Sequence, residues 1–241
     1  MYKIEKISKS YGKLRVLDNI SLEFPKGKTT CILGPSGCGK TTFLNILAGL
    51  TPKDSGKLCG LEEDISYIFQ EDRLIPWKNL RENLEFVLKG KMDKTRAQDL
   101  INEYLKLVDL EEYKYYYPKE LSGGMRQRVN ILRAFIYPSK VIIMDEPFKS
   151  LDINHKKVLM DFFISLREKG NKTCIMVTHD IDEAITLGHR IVIFSDKPTR
   201  VKRIVDIENY RDKIKLKEEI SGELKKWDDS HPIRYLYLKT F

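Results

Sequence analysis

The sequence predicts an α/β fold organised around a parallel sheet. Three observations point to it. Short, largely apolar runs alternate with stretches of helical periodicity, one run leads straight into a glycine-rich loop, and another ends in two acids. The runs are Thr29–Leu33, Val141–Met144, Thr173–Val177 and Arg190–Phe194, short enough for strands buried on both faces. With 241 residues, 41% hydrophobic and 32% charged, the chain can bury a core beneath a solvated surface.

The elements follow in order. The first thirty residues read as antiparallel strands, because Ile20, Leu22 and Phe24 alternate with polar partners and Pro25–Gly27 is a turn. Thr29–Leu33 is a buried strand. Thr42–Leu50 reads as a helix with Phe43, Leu44, Ile46, Leu47 and Leu50 on its apolar side, stopped by Pro52. From about Asn79 to Tyr137 the pattern is helical, with Ala97, Leu100, Ile101, Tyr104, Leu105 and Val108 at helical spacing. This block separates the first core strand from the next, so it is an inserted subdomain, about residues 71–137, of one domain spanning 1–241. A helix over Asn154–Lys169 ends at Gly170. The tail, about residues 207–241, is charged and weakly helical.

Composition excludes several function classes. No apolar run approaches the ~20 residues that span a bilayer, and the first residues lack a signal-peptide stretch, so the expected compartment is the cytosol. Cys31, Cys38, Cys59 and Cys174 show no Cys-x-x-Cys spacing, which argues against zinc and for reduced thiols. The formal charge of +8 comes from Lys and Arg spread along the chain. It reads as solvated surface, and no nucleic-acid partner is expected.

Gly34-Pro35-Ser36-Gly37-Cys38-Gly39-Lys40-Thr41, followed by Thr42, matches the phosphate-loop pattern in full. Its glycines let backbone N–H groups surround phosphate oxygens, and the following helix offers its positive end to the same anion. Lys40 suits the terminal phosphates of ATP, and the Thr41 hydroxyl suits Mg²⁺. Within the loop, Lys40 and the backbone N–H groups are expected to favour a Cys38 thiolate, with a thiol pointing into the core as the competing reading. Asp145 would hold Mg²⁺ and Glu146 would orient or deprotonate the attacking water. Ser122, Gly123 and Gly124 open a helix. Ser122 is a natural N-cap, and the glycines present bare N–H groups that could hold a second phosphate.

The octapeptide Leu121-Ser-Gly-Gly-Met-Arg-Gln-Arg128, set between the loop and the acids, resembles the signature of ATP-binding cassette (ABC) ATPases. The resemblance covers about residues 2–200 and implies a P-loop NTPase (RecA-like) core with an antiparallel β subdomain and an inserted helical subdomain. It implies that Ser122, Gly123 and Gly124 close over ATP held by a second copy of the chain. It assigns Gln70 to the Q-loop, where it touches Mg²⁺, and His179 to the switch that contacts the terminal phosphate. Tyr11 takes the place of an aromatic that stacks on adenine, with a core tyrosine as the competing reading. Ser150-Leu-Asp152 resembles the D-loop, which crosses the dimer interface.

Tyr117-Pro-Lys-Glu-Leu-Ser-Gly-Gly124 resembles importer subunits, and Glu71-Asp-Arg-Leu-Ile-Pro-Trp-Lys78 is similar to those for nitrate, sulfonate, taurine and bicarbonate. Relatives for thiamine-precursor pyrimidines and riboflavin share that stretch. The resemblance therefore implies an ATPase on the cytoplasmic face of the cell membrane. It would work with a permease, through Leu74, Pro76 and Trp77, and indirectly with an external solute-binding protein. A filled subdomain core is the competing reading of Leu74 and Trp77. Two rivals are a soluble ABC ATPase of DNA repair or translation, and a binding module that has lost catalysis. Neither a coiled-coil insertion nor a second cassette supports the first, and intact Lys40, Asp145, Glu146 and His179 oppose the second.

Three departures stand out. Lys149 replaces a small residue before the D-loop, which bears on the dimer contact. Asn130, Ile131 and Leu132 replace small residues in the signature helix. The stretch Gly60–Ile65 is short, which implies a missing hairpin in the antiparallel subdomain.

Overall fold

The computed structural model describes residues 1–61, 65–149 and 153–229. In chain order the elements are β1 (Tyr2–Tyr11), β2 (Leu14–Phe24), β3 (Thr29–Leu33), α1 (Lys40–Leu47), β4 (Ser55–Cys59), β5 (Ile65–Ile68), α2 (Leu80–Leu88) and α3 (Lys94–Leu107). There follow α4 (Gly123–Ile136), β6 (Val141–Asp145), α5 (Ile153–Gly170), β7 (Thr173–Val177), α6 (Ile181–Leu187), β8 (Arg190–Phe194), β9 (Val201–Asp206) and α7 (Lys213–Asp229). They divide into two compact units, one of Met1–Gly60 with Val177–Phe241 and one of Leu61–Met176. Among the described residues no helix is long and apolar enough to cross a membrane.

In the first unit, β2-β1-β4 form an antiparallel sheet of three strands. The hairpin pairs Tyr2 with Phe24 and Tyr11 with Leu14, and register shifts between Ile4 and Ser10 interrupt the alternation of β1. Ile4, Ile7, Ile20, Leu22 and Phe24 are all buried. Fully burying one such side chain contributes ~1.5–3 kcal/mol. The turn between β2 and β3 uses Gly27 at φ 69° and a hydrogen bond from Lys28 N–H to the Pro25 carbonyl. β3 pairs in parallel with β8, Cys31 opposite Ile191, and β8 pairs antiparallel with β9. β9 was not foreseen. Its polar alternation, Val-Lys-Arg-Ile-Val-Asp, suits an exposed sheet margin and carries little apolar signal.

α1 corrects the expected helix over Thr42–Leu50. It starts at Lys40 and ends at Leu47, before Pro52 can act. Gly49 adopts φ 71°, its N–H bonds the Ile46 carbonyl, and Leu50 N–H bonds the Asn45 carbonyl. That pair of bonds is a Schellman stop, and it leaves Leu50 exposed rather than on the apolar side. Phe43 keeps its core position, edge-on to Phe194 at 5.2 Å. Within the described residues the tail holds a helix, Lys213–Asp229, that packs by an apolar side. Leu216 and Ile220 of α7 are fully buried, and Arg203 of β9 binds Glu219, Glu223 and Tyr210.

In the second unit the strands run in the order β5-β6-β7. β5 and β6 are parallel, with Ile68 opposite Met144. β5 is only four residues long, too short for periodicity to mark it as a strand in the sequence. Between β5 and β6 the helical block consists of α2, α3 and α4. Asn79 and Glu82 form a capping box on α2, and Asp93 caps α3 through Arg96 N–H. Leu84, Ile101, Leu105, Val129, Ile131 and Leu132 build its core. The departures Asn130, Ile131 and Leu132 are thus interior residues.

Candidate functional site

In the first unit, the phosphate loop leaves the carboxyl end of β3, where open α/β sheets bind ligands. Gly37 and Gly39 sit at φ 75° and 116°. A Cβ on Gly39 would stand 2.6 Å from Val16 Cγ1, so backbone conformation and packing both demand glycine there. Lys40 Nζ folds over the loop and donates to the Gly34 and Pro35 carbonyls at 2.7 and 2.8 Å. An ammonium has three donors, and these carbonyls take two while holding the charge at the loop. Ser36, Gly37 and Thr41 are exposed, Gly34, Pro35, Gly39 and Thr42 partly so. The Thr41 hydroxyl, one residue into α1, is a hard oxygen donor of the type Mg²⁺ accepts.

Cys38 overturns the thiolate expectation. Its side chain is buried, and a Cβ on Gly34 would lie 3.4 Å from its sulfur. Burial pushes the thiol pKa up, and the opposing pull of Lys40 is smaller. Cys38 thus serves the loop as backbone and filler. Its carbonyl accepts a hydrogen bond from the Thr199 hydroxyl, while Thr199 N–H and C=O bind Val16 and Asp18. Thr199 is fully buried and ties loop, β2 and the approach to β9 together. A lone threonine in a polar stretch carried no signal of this.

His179 follows β7 and is exposed. Its predecessor Thr178 donates N–H to the Ile32 carbonyl of β3, which places the histidine beside the strand that feeds the loop. The Thr178 hydroxyl donates to the buried Glu183 carboxylate and accepts from Asp180 N–H, and Asp180 caps α6. Neighbours on both sides therefore fix the backbone at His179. Tyr11, at the tip of the β1–β2 hairpin, is 51% exposed, which removes the core-tyrosine alternative. Lys9 Nζ lies 5.3 Å from its ring centroid.

In the second unit, Gln70 follows β5, Asp145 closes β6 and Glu146 comes next. Gln70 is exposed and Asp145 buried. Tyr67 responds to this surrounding: burial first, then the Asp145 carboxylate, raises its hydroxyl pKa. Glu146 adopts φ 48°, a left-handed conformation that costs a non-glycine residue of order 1–3 kcal/mol and clusters at functional sites. The chain then turns sharply. Lys149 N–H bonds the Glu146 carbonyl, and Gln127 of α4 donates to the Pro147 carbonyl. Lys149 Nζ makes an ion pair with Glu146 Oε2 at 2.8 Å. The expected D-loop contact, Ser150 to Asp152, lies outside the described residues.

Ser122 caps α4 as expected, its Oγ accepting Met125 N–H at 3.2 Å, with Gly123 exposed and Gly124 partly exposed. Two arginines further along α4 hold the segment after Gln70. Arg126 binds the Asp72 carboxylate, and Arg133 donates to the Asp72 and Arg73 carbonyls. Leu74 is buried, so it belongs to the interior and not to a docking surface. Trp77 is 76% exposed, and Pro76 is exposed beside it. Their loop is held by Asn83, which is fully buried and bonds the backbone of Ile75, Lys78 and Asn79. Next to Trp77, Lys78, Phe86, Leu88 and Met92 help line a cleft of about 560 Å³.

Known proteins resemble this chain in sequence and in fold. The family model described as ABC transporter matches residues 17–149, more than half of the chain. The aliphatic sulfonates import ATP-binding protein SsuB of Bacillus cereus (strain ZK / E33L) is 41% identical over 208 residues, 83% of this chain and 81% of its own. An uncharacterized ABC transporter ATP-binding protein of Methanocaldococcus jannaschii, MJ0412, is 36% identical over 228 residues, 89% of this chain and 85% of its own. Among solved structures, the dimeric MJ0796 cassette of a bacterial ABC transporter superposes with a TM-score of 0.73. It is 31% identical and covers 86% of this chain and 99% of its own. A post-hydrolysis dimer of the same cassette, bound to ADP and Pi, gives 0.72 over the same coverage. The chain belongs to the ABC transporter family, as an ATP-binding cassette and an ATPase.

Proposed function

We propose that the chain is the ATP-hydrolysing subunit of an importer for a small anionic solute of the sulfonate class. Two copies would clamp ATP and dock on a membrane permease at the cytoplasmic face. The observation that carries the solute class is the 41% identity, over 83% of the chain, to a relative that imports aliphatic sulfonates. The dimeric cassettes support the pairing of two copies. The single-domain boundaries, 1–241 with helices inserted at about 71–137, belong to the same reading.

The proposed roles follow the order of the motifs. The loop backbone from Gly34 to Thr42, with Lys40, binds the phosphates, and exposed Tyr11 stacks on adenine. Thr41, Gln70 and Asp145 offer hard oxygens, and Mg²⁺ held by them would neutralise phosphate charge. Glu146 orients the attacking water, and His179 contacts the terminal phosphate. Ser122, Gly123 and Gly124, with Asp152, would serve the ATP of the second copy. Pro76 and Trp77 remain the permease anchors, and the cleft beside Lys78 extends that surface.

The test is Glu146→Gln. It should retain ATP binding and slow hydrolysis by ~10²–10⁴-fold, the range for losing a general base. Light scattering with Mg·ATP should also detect a trapped dimer. Turnover near wild type would remove Glu146 from the mechanism. Loss of growth on an alkanesulfonate as sole sulfur source, on deletion of the gene, tests the solute.

A further inference from the structure

We infer that Lys149 is a positioning residue for ATP hydrolysis, acting through the Glu146 carboxylate. This rests on the reading of Glu146 as the residue that orients the attacking water. Lys149 Nζ stands 2.8 Å from Glu146 Oε2, and Lys149 N–H donates to the Glu146 carbonyl at 3.2 Å. One residue thus holds Glu146 by both backbone and side chain.

The rest of the turn is anchored independently. Gln127 holds the Pro147 carbonyl. Phe148 is 1% exposed and packs edge-on to Phe163 at 6.3 Å. With the Pro147 carbonyl and the Phe148 ring held, the adjustable part of Glu146 is its carboxylate, and the Lys149 ammonium is a cation placed to bias it. Electrostatics favours the same arrangement. Asp145 and Glu146 place two acids on consecutive residues, Asp145 buried and the Glu146 side chain only 17% exposed. Acids removed from water need a compensating charge, and Lys149 supplies one. A carboxylate accepts through two oxygens and about four lone-pair directions. The contact at Oε2 is an ion pair by distance and not an aligned hydrogen bond, so it biases the carboxylate by charge and not by a directed bond. Lys149 exchanges no proton and forms no bond; its effect is on geometry.

Lys149→Met keeps an unbranched side chain, one heavy atom shorter, and removes its charge, and Lys149→Gln keeps a donor without the charge. Purified full-length variants should be compared by ATPase kinetics, by the Kd for a fluorescent ATP analogue, and by urea unfolding. Lys149→Met should lower kcat by about 10–100-fold, the scale of a misplaced catalytic group. KM, nucleotide Kd and unfolding midpoint should stay close to wild type. Lys149→Gln should lose kcat in the same direction, and Lys149→Arg should recover most of it. In a Glu146→Gln background, Lys149→Met should lower the residual rate no further, because the group it positions is gone. Wild-type or raised kcat in Lys149→Met overturns the inference. So does a full additional loss in the Glu146→Gln background, or a failure of Lys149→Arg to rescue. If Glu146→Gln itself turns over normally, the reading of Glu146 fails and Lys149 falls with it. If only Lys149→Met is silent, the reading of Glu146 stands alone.

Discussion

Arg126 Nε lies 3.0 Å from the Asp72 carboxylate, joining the first turns of the signature helix to a residue two positions beyond Gln70. Arg133, two helical turns later on the same face, donates to the backbone carbonyls of Asp72 and Arg73. The stretch that carries Gln70 is therefore fastened to the helix that carries Ser122, Gly123 and Gly124.

The two arginines should differ in their effect on stability. The Arg126–Asp72 pair is about one-third exposed on each side, and such pairs contribute ~0–1 kcal/mol. Arg133 is buried enough that desolvation lowers its pKa, and its removal leaves two carbonyls without their donor. Arg126→Ala, which also removes the donor to the Leu121 carbonyl, should destabilise by about 1–1.5 kcal/mol, and Arg133→Met by about 2–3 kcal/mol. Urea unfolding checks the order; equal shifts would remove the distinction.

Thiol chemistry should report burial. Cys59 is exposed, whereas Cys31, Cys38 and Cys174 are buried. A brief maleimide treatment should add one adduct, on Cys59, with ATPase activity retained and no effect of Mg·ATP on labelling. Intact mass and peptide mapping read this directly. An adduct on Cys38 accompanied by inactivation would restore the thiolate reading.

Trp77→Ala should leave the free subunit folded, within about 0.5 kcal/mol of wild type, because the ring is on the surface. A buried aromatic anchor carries ≥2 kcal/mol of binding, so the same change should release the subunit from membranes containing its permease. Co-purification and basal ATPase on one preparation test both halves. Wild-type retention would exclude Trp77 as an anchor.

Lys172 should give stability a pH dependence of predictable sign. Its ammonium is buried, donates to the Tyr137 and Ser139 carbonyls, and has its pKa lowered by desolvation from 10.5 to about 8. Between those values the unfolded chain holds the proton and the folded chain has lost it. Folding stability therefore gains from this residue as pH rises, by roughly 1.4 kcal/mol per pH unit at most. Lys172→Met should lack that gain, so wild type should improve relative to the variant from pH 8 to pH 10. Parallel urea curves with pH would contradict the shift.

Much of this chain was legible because local rules decide it. A glycine at 39 is required by its own φ and by Val16 against it, and the loop pattern announces both. Ser122 caps α4 through a bond three residues away, so the sequence alone placed that helix start. The buried strands β3, β6, β7 and β8 declared themselves by apolar runs, and the glycine loop, the two acids and His179 lie at the carboxyl ends of β3, β6 and β7. Other features depend on what meets a residue from far along the chain. Burial settled Cys38 as an inert thiol and Leu74 as core, and exposure settled Tyr11 and Trp77 as surface. Thr199 supports the phosphate loop from 161 positions away. β9, with its polar pattern, is a strand because β8 offers it a margin to pair with. Lys149 was visible as an odd residue before the D-loop. That its charge meets Glu146 was decided by the left-handed turn that folds the two together.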